Sequence, residues 1–495
     1  MLNTSEYNAV MAYKFGTKPY HHQLDCLKQS WNREEFALLL EMGTGKTKIL
    51  LDNACILFEE FEIGALLILA PNSVYRNWLL REIPTHVPER IQKIMRTFVY
   101  KRDKLERLTA MLTKEPLFNV LIFNIEAFSV RNDLKVLLSA WMNLMPTMMV
   151  VDESTMIKSW KSKRTKAIVE LGKYAKYRRI ATGLVSPHGP SDIFPQFQFL
   201  KNGCLGHTNP VSFRHRYCET IPITVAGHAV EKVIGIQRGD ELKSRMRKFS
   251  YRKTKEECLD LPEKIYNFHY SELDPETRGH YEKMRKQAIF ELEHENPEES
   301  IFVRNKNRLS MVMRLQMITC GHIKDENSKS HRFSTKRIDD TIEFLSGVDG
   351  QVVIWSIFVR DVEDLVRYIK KEFGENSVRP FYGDTNVLQR DEAITLFQDH
   401  KVKYLVSSTA GRFGTTLTAA STAFYYSNSY NLEFRLQSED RIHRIGQHNP
   451  CLYVDALAPN TVNLPLIHNL RHKIDVSTVI SGDSYRKWLV NKDDE

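Results

Sequence analysis

The sequence lacks any apolar run long enough to cross a bilayer. Its longest runs, such as residues 63–71, fall far short of the roughly 20 residues that a membrane helix needs. Residues 1–13 contain Glu6 and no basic residue followed by an apolar core, so the sequence predicts no secretory signal. The seven cysteines are widely scattered and form no Cys-x-x-Cys pair, which favours reduced thiols in a cytosol-like compartment. No Gly/Ser tract, heptad series or low-complexity block is present, which argues against coiled coils and long disordered tails.

The composition that is present is typical of a folded protein with a basic surface. The 495 residues are 42% hydrophobic and 26% charged, with a mean hydropathy of -0.39. A chain of this length has room for about three domains. The net charge of +9 and the pI near 9.0 indicate a polyanionic partner, and they favour nucleic acid over acidic lipid.

One group of cysteines and histidines has residue types that would suit a tetrahedral zinc site. The four residues are Cys204, His207, His215 and Cys218. Their inner spacing is short for a zinc finger, and Phe213 and Tyr217 interleave them as a helix face would. The pattern therefore favours a packed helix over a metal site.

Short apolar runs alternate with amphipathic stretches along nearly the whole chain, which is typical of parallel sheets covered by helices. The first series of predicted strands comprises residues 36–40, 65–69, 120–123, 148–151 and 179–181. The second series comprises residues 351–355, 378–381, 404–407, 423–426 and 452–457. We predict an α/β fold with two such sheets, and with its chemistry at the carboxyl ends of the strands.

The region between the two series is charged and mostly helical. We predict a first lobe over residues 1–240, and a linker with helical insertions over residues 241–337. The core of the second lobe follows over residues 338–457. Residues 458–495 follow this core.

A glycine loop follows the first predicted strand. Strand 36–40 continues into E-M-G-T-G-K-T at residues 41–47, and an apolar helical stretch follows at residues 49–57. The strict G-x-x-x-x-G-K-[ST] pattern fails at its first position, which is Leu40, so the loop is a shorter variant. An ordinary Gly-rich turn is the alternative, but the flanking strand and helix favour a phosphate loop.

The residue types of this loop suit a nucleotide. The backbone N–H groups of Gly43, Thr44 and Gly45 can turn toward phosphate oxygens at the amino end of a helix. Lys46 would reach the β and γ phosphates, and Thr47 would bind magnesium.

A second element places two adjacent carboxylates at the end of a strand. Residues 149–153 read M-V-V-D-E, so Asp152 and Glu153 follow a buried strand about a hundred residues after the phosphate loop. Asp152 would hold the magnesium that bridges the terminal phosphates, and Glu153 would orient and deprotonate the attacking water. A solvated acidic loop is the alternative for an isolated Asp-Glu pair.

A third element, Q-S-E-D-R-I-H-R-I-G-Q at residues 437–447, carries two arginines three residues apart. On a helix, the guanidinium groups of Arg441 and Arg444 would lie on one face, where they could act as arginine fingers at a γ-phosphate. A surface basic helix is the alternative.

Together, these elements resemble the Swi/Snf branch of superfamily 2, the double-stranded-DNA translocases, over nearly the whole chain. Further resemblances follow in chain order. They are P-Y-H-H-Q at residues 19–23, L-A-P-N-S at 69–73 with N-W at 77–78, D-E-S-T at 152–155 with I-K at 157–158, T-G at 182–183, and residues 411–420.

The resemblance implies two tandem RecA-like lobes with helical insertions and a carboxyl-terminal brace-like segment over residues 458–495. It implies nucleotide contacts at Tyr20, Gln23, Gly414 and Gln437, and the contact of Gln23 with adenine makes the nucleotide ATP, bound with Mg²⁺. Arg441 and Arg444 would complete the site from the second lobe. Residues 154–180, with nine Lys or Arg and one acid, would offer a positive surface to the DNA backbone.

The sequence departs from the family pattern at three motifs. Leu184-Val185 replaces Thr-Pro after Thr182-Gly183, Arg412 and Thr416 replace a Gly and an Asn, and Ser154-Thr155 replaces Ala-His. These changes leave three hypotheses open. The protein is a DNA-dependent ATPase that translocates on double-stranded DNA and remodels DNA or protein–DNA complexes, a strand-separating DNA or RNA helicase, or a nucleotide-gated DNA clamp without productive translocation.

The resemblance also implies a partner set and a location. Double-stranded DNA is the expected partner, with branched or single-stranded DNA and a targeting protein as further candidates. No membrane contact is expected, and the protein is expected to act as a monomer. The compact size and the D-E-S-T box resemble those of a phage or bacterial member, which implies the cytoplasm of a bacterium or of an infected host.

Overall fold

The computed structural model describes most of the chain. The described residues are 9–72, 74–101, 117–187, 189–225, 228–293, 301–324, 329–383, 385–408, 411 and 415–472. The chain divides into two units, residues 1–221 with 232–260 and residues 222–231 with 261–495. Each unit contains a parallel sheet covered by helices, which confirms the predicted α/β class.

A seven-stranded sheet forms the centre of the first unit. The strands of this sheet are β1 (Glu35–Leu40), β2 (Ala65–Ala70), β3 (Met95–Val99), β4 (Phe118–Asn124), β5 (Thr147–Asp152), β6 (Tyr177–Ala181) and β9 (Ser250–Lys253). A separate two-stranded sheet, formed by β7 (Cys218–Val225) and β8 (His228–Ile236), lies between β6 and β9 along the chain. The order in the sheet is β3-β4-β2-β5-β6-β1-β9, and every neighbouring pair is parallel. Because the strands are parallel, the ends of β1, β5 and β6 meet at one edge, where the predicted site residues lie.

The helices of the first unit bury apolar side chains on both faces of this sheet. They are α1 (His21–Ser30), α2 (Lys46–Glu59), α3 (Asp133–Met142), α4 (Lys163–Gly172), α5 (Ile193–Leu200), α6 (Pro210–Tyr217) and α7 (Gly239–Arg247). Shorter turns cover Tyr75–Asn77, Trp78–Glu82, Ile83–His86, Glu89–Gln92, Ile125–Ser129, Ser154–Ile157, Pro190–Asp192 and Lys255–Cys258. Leu50 packs with Ile68 on one face, and Ile168 packs with Leu69 on the other.

A six-stranded parallel sheet forms the centre of the second unit. The strands of this unit are β10 (Lys264–Tyr270), β11 (His322–Lys324), β12 (Ser330–Arg332), β13 (Gln351–Trp355), β14 (Val378–Phe381), β15 (Tyr404–Ser407), β16 (Ala420–Tyr425) and β17 (Cys451–Leu457). The order in the sheet is β10-β17-β16-β13-β15-β14, and β11 pairs antiparallel with β12 outside it. The helices are α8 (Pro275–Glu293), α9 (Ile301–Thr319), α10 (Lys336–Ser346), α11 (Val359–Phe373), α12 (Val387–Gln398), α13 (Leu432–Glu439) and α14 (Asn463–Arg471).

The predicted strands all occur in the two sheets, but three sheet strands were not predicted. These three, β3, β9 and β10, lie at sheet edges. An edge strand of this kind is less buried and more polar than an interior strand, so it lacks the continuous apolar run that identifies an interior strand. The burial of β10 agrees, because most of its side chains are exposed or half-buried.

The edge strands also change the division of the chain. β9 pairs with β1, with Leu38 opposite Tyr251, so the first unit reaches Asp260 rather than the predicted boundary at residue 240. β10 pairs with β17 and belongs to the second sheet, although it falls inside the predicted linker, residues 241–337. Because β9 and β10 both belong to the sheets, less of residues 241–337 serves as linker and helical insertion than the sequence predicted.

The carboxyl-terminal part of the described chain packs inside the second unit. Leu466 and Leu470 of α14 lie in a buried cluster with Tyr281 of α8 and Val312 of α9. The Tyr281 hydroxyl also accepts a 2.9 Å hydrogen bond from the backbone N–H of Val462. The rest of the predicted brace, residues 473–495, lies outside the described residues.

The cysteine and histidine group packs as part of a helical region. The Cys204 thiol donates to the Phe197 carbonyl at 3.3 Å, and His207 Nδ1 lies 3.0 Å from the Ser212 hydroxyl. Over the described residues, no group of three His, Cys, Asp or Glu side chains is placed to hold a metal. None of the helices within the described ranges is both long and apolar enough to cross a bilayer.

Candidate functional site

The glycine loop joins β1 to α2 in a conformation that only glycine adopts readily. Gly43 and Gly45 have φ angles of +79° and +83°, in the left-handed region where a Cβ is strained. A Cβ on Gly45 would also lie 2.2 Å from Nε2 of Gln23. α2 begins at Lys46, so the loop presents a helix amino terminus, where backbone N–H groups bind phosphate.

The lysine of the loop folds back over it. Lys46 Nζ donates to the carbonyls of Leu40 and Glu41 at 3.0 and 3.1 Å. The Thr44 hydroxyl donates to the same Glu41 carbonyl at 2.8 Å, and Thr44 is fully buried. These bonds close the loop and hold the ammonium group at the carboxyl end of β1.

Two side chains of α1 fix the loop from the other side. Gln23 Nε2 donates to the Thr44 carbonyl at 3.1 Å, and His22 Nε2 lies 2.8 Å from the same oxygen. Gln23 Oε1 accepts from the backbone N–H of Tyr20 at 2.9 Å. The structure therefore brings Gln23 to the phosphate loop, while the Tyr20 side chain remains 46% exposed. The contact of His22 was not predicted, because nothing in the local sequence indicates that it reaches the loop.

The carboxylate of Asp152 lies at the end of β5 beside Lys46. Its Oδ2 accepts from the indole N–H of Trp78 at 3.2 Å, and its Oδ1 accepts from the Glu153 N–H at 3.0 Å. Burial raises the pKa of the Asp152 carboxyl, and the Lys46 ammonium and the Trp78 hydrogen bond oppose that rise. The role of Trp78 as a donor to the carboxylate was not predicted from the sequence, since the two residues are far apart along the chain.

Glu153 follows in a strained backbone conformation. Its φ and ψ angles are 49° and 61°, which a residue other than glycine adopts only when the surrounding structure holds it there. Such strain is common at functional sites. The turn Ser154–Ile157 begins directly after it.

The residues near the loop fit a magnesium–nucleotide complex. Protein sites for Mg²⁺ commonly supply one or two oxygen ligands, and substrate phosphates and water complete the shell. The Asp152 carboxylate and the Thr47 hydroxyl are oxygen groups of the type that such sites use. The Lys46 ammonium at the end of β1 opposes the rise that burial causes in the pKa of Asp152, and a positive charge of this kind also suits phosphate oxygens. Loop, lysine and carboxylate thus belong to one site within the first unit.

In the second unit, the two arginines of residues 437–447 converge on one carbonyl. Arg441 and Arg444 each donate to the Thr415 oxygen, at 3.1 and 3.2 Å. The prediction that they lie on a helix was wrong, because α13 ends at Glu439 and a series of turns follows. The turns nevertheless bring the two guanidinium groups together, as a helix face would have done.

A buried ionic network fixes α13, from which these turns extend. Arg435 donates to Glu439 at 2.7 Å and binds Asp455 through two nitrogens. Glu439 also accepts from Lys264 at 3.1 Å and from the Tyr266 hydroxyl at 2.8 Å. These contacts hold the pKa of Glu439 down to about 2, since its charged form is well paired despite burial. The arginine pair is therefore attached to a rigid helix.

Two further residues, Gln437 and Gly414, were predicted to contact the nucleotide. Gln437 is buried, and its side chain donates to Glu433 at 3.2 Å. Its backbone carbonyl accepts from Arg441 Nε at 3.0 Å. Gly414 lies outside the described residues, as does Arg412.

The basic run at residues 154–180 divides into two parts. Arg179 is buried and donates to the carbonyls of Ser30 and Trp31, and Arg178 pairs with Glu35 at 2.9 Å. These arginines stabilise the first unit. Five lysines of the run are exposed. Lys173 and Lys176 pair with Glu170 and Glu62, so the positive surface consists mainly of Lys161, Lys163 and Lys166.

Two family models match the chain in succession. Residues 22–323 match the SNF2-related domain, and residues 334–446 match the Helicase conserved C-terminal domain. The first match includes the glycine loop and the carboxylates, and the second includes both arginines.

Individual proteins show the same similarity. The SWI/SNF-related matrix-associated actin-dependent regulator of chromatin subfamily A-like protein 1 homolog of Caenorhabditis elegans is 27% identical over 352 residues, 68% of this chain and 46% of that protein. The transcription regulatory protein SNF2 of Saccharomyces cerevisiae is 23% identical over 466 residues, 88% of this chain and 26% of that protein. The chain thus spans less than half the length of these relatives. The solved Sulfolobus solfataricus SWI2/SNF2 ATPase core in complex with dsDNA aligns with a TM-score of 0.42 and 22% identity, covering 97% of each chain. Because the SNF2-related domain model matches more than half of the sequence, the chain belongs to the SNF2-related domain family.

Proposed function

We propose that the protein is a Mg²⁺-dependent ATPase that translocates on double-stranded DNA and couples hydrolysis to remodelling of DNA or protein–DNA complexes. The observation that carries the proposal is the placement of Asp152 beside Lys46 of a phosphate loop, in a chain of the SNF2-related domain family. A loop that binds phosphates and a carboxylate that binds magnesium are the two elements that nucleotide hydrolysis requires.

The chemistry of each residue follows from its position. The loop N–H groups and Lys46 bind the β and γ phosphates, and Thr47 with Asp152 holds the metal. Glu153, held in its strained conformation next to Asp152, orients the attacking water and accepts its proton. Tyr20 and Gln23 contact the adenine.

Arg441 and Arg444 act as arginine fingers from the second unit. Their common hydrogen-bond acceptor, the Thr415 carbonyl, supports a shared role because it places two positive charges at one point. Guanidinium groups in this arrangement stabilise the charge that develops on the transferred phosphoryl group. Hydrolysis then requires the two units to approach each other, and a cycle of approach and separation moves the protein along DNA.

The proposed DNA partner rests on charge and on family membership. The net charge of +9 and the exposed lysines Lys161, Lys163 and Lys166 favour a phosphate backbone. A relative's name refers to regulation of chromatin, which is consistent with action on protein–DNA complexes. We propose that the protein acts as a monomer in the cytoplasm and that a separate protein directs it to its site.

The test is ATP hydrolysis measured without nucleic acid and with double-stranded DNA, single-stranded DNA or RNA. We expect the strongest stimulation by double-stranded DNA and its loss in Glu153→Gln. Glu170→Gln is the matched control, because Glu170 is exposed and pairs only with Lys173, at 3.3 Å, among the described contacts. Loss of turnover in both variants would contradict the assigned role of Glu153.

A second assay separates translocation from strand separation. The protein is incubated with ATP and a duplex that carries a third strand in its major groove. Displacement of the third strand with the duplex left paired supports translocation. Unwinding of the duplex, or stimulation mainly by single strands or RNA, would replace the proposal with a helicase, and DNA binding without stimulated turnover would replace it with a clamp.

A further inference from the structure

A buried amide joins the two segments of the first unit that depart from the family pattern, which are Ser154-Thr155 and Leu184-Val185. Gln196 of α5 accepts a 2.6 Å hydrogen bond from the Ser154 hydroxyl through Oε1. Its Nε2 donates to the carbonyls of Val185 and Asp192, both at 2.7 Å. The orientation of the amide is determined, because carbonyl oxygens only accept and must face the NH₂ group.

This junction is protected from solvent and rigidly supported. Ser154 and Gln196 are both completely buried. Neighbouring residues of α5, among them Phe194 and Phe197, pack into the core of the first unit. A buried polar group that loses its partner cannot recover the bond from water, so the bonds to Ser154 and Val185 fix the two segments relative to α5. The bond to Asp192 holds the amide at the start of its own helix.

One end of the junction lies next to the residue assigned to the attacking water. Ser154 follows Glu153, whose φ of 49° is maintained only by surrounding contacts. The Ser154 side chain provides such a contact directly after the strained residue. Loss of the Gln196 amide therefore removes a restraint on the Glu153 backbone.

The other end of the junction reaches the phosphate loop. Val185 closely follows Gly183, and a Cβ on Gly183 would lie 2.8 Å from Cγ of Met42 and 3.1 Å from its backbone nitrogen. The segment that carries Val185 is thus packed tightly against the glycine loop. Gln196 connects this segment to Ser154, which follows the two carboxylates. Its own hydrogen bonds do not involve Lys46, Asp152 or Glu153.

We infer that Gln196 is a positioning residue for hydrolysis, which fixes Glu153 relative to the phosphate loop through Ser154 and Val185. The inference rests on the proposed ATPase function and adds a residue to it. Gln196 makes no side-chain hydrogen bond to the phosphate loop itself among the described contacts. Its replacement should therefore slow the chemical step and leave ATP binding unchanged.

The experiment compares Gln196→Met with Gln198→Met. Gln198 lies on the same helix and is also buried, and it donates to the His207 carbonyl at 2.6 Å and accepts from the Gly203 N–H at 3.3 Å. Both variants replace a hydrogen-bonded buried amide by an apolar side chain of similar length. Only Gln196→Met removes a hydrogen bond to Ser154, the residue after Glu153. Gln198→Met therefore reports the cost of losing a buried amide elsewhere on the same helix.

We expect both variants to lower the melting temperature, but only Gln196→Met to lower kcat for ATP. A displaced catalytic group costs on the order of 10- to 100-fold in rate, with KM for ATP unchanged. Ser154→Ala should lower kcat as well. The double variant Ser154→Ala/Gln196→Met should be no slower than the slower single variant, because each change already removes the hydrogen bond between Ser154 and Gln196.

Hydrogen exchange provides a readout that does not depend on turnover. Gln196→Met should accelerate backbone exchange in peptides that cover residues 152–158, and Gln198→Met should not. Wild-type kcat and wild-type exchange in Gln196→Met would overturn the inference and leave the ATPase proposal standing. Absence of ATP hydrolysis by the unsubstituted protein would instead overturn the proposed function, and the exchange data would still decide whether Gln196 holds the loop.

Discussion

The hydrogen bond from Trp78 to Asp152 provides a quantitative test of the site. The indole N–H donates to the carboxylate at 3.2 Å, and Trp78 is 2% exposed, so water cannot easily replace the bond. In Trp78→Phe an aromatic ring remains at this position, but the N–H donor is lost. The change should therefore destabilise the charged carboxylate and raise the pKa of Asp152 further above its ordinary value.

The size of the effect follows from the strength of the bond. A hydrogen bond to a charged group contributes about 1.5–3 kcal/mol, and one pKa unit corresponds to about 1.4 kcal/mol. Loss of the bond should thus disfavour the charged carboxylate by about 1.5–3 kcal/mol and raise the pKa of Asp152 in the variant. Asp152 must be charged to bind magnesium, so activity should be lost at a higher pH than in the unsubstituted protein.

The assay is kcat/KM for ATP as a function of pH, which reports the ionisations of the free enzyme. We expect the acid limb of the profile to move to higher pH in Trp78→Phe. Trp141→Phe is the matched control, because Trp141 is also 2% exposed and its indole N–H has no acceptor among the described residues. An acid limb in Trp78→Phe that coincides with that of Trp141→Phe would refute the reasoning.

Three further changes test other parts of the two units. Gly45→Ala should abolish ATP binding in calorimetry, because its Cβ would lie 2.2 Å from Gln23 Nε2 at a φ of +83°, and retained affinity would contradict this geometry. Arg435→Ala should lower the free energy of unfolding by about 3–5 kcal/mol in urea denaturation, since it removes the cation that pairs with two buried carboxylates, Glu439 and Asp455, and a loss below about 1 kcal/mol would show that the network is not stabilising. Arg441→Ala should lower kcat by about 10³-fold or more with ATP binding retained, and a parallel loss of binding would argue against a role confined to the transition state.

The interior of both sheets could be predicted from the sequence because of its burial. Strands such as β2 and β5 are covered on both faces, so they read as continuous apolar runs. The edge strands β3, β9 and β10 lack such runs, and their assignment depends on which strand they pair with. Pairing between β9 and β1 joins residues more than 200 apart along the chain, and no local pattern encodes it.

The sequence by itself determined the groups whose chemistry is local. Gly43, Gly45 and Lys46 form one loop, and Asp152 and Glu153 are adjacent, so their residue types and order sufficed to predict a phosphate site and a metal ligand. The strand before each group also followed from its own apolar residues.

The tertiary structure alone decided which distant side chains hold these groups in place. Gln23 reaches the glycine loop, Trp78 reaches Asp152, and Gln196 reaches Ser154 across long separations in sequence. Such contacts depend on how parallel strands and their helices are ordered in the sheet, and that order is a property of the whole fold. The sequence therefore specifies the candidate reacting groups, whereas long-range packing specifies their positions.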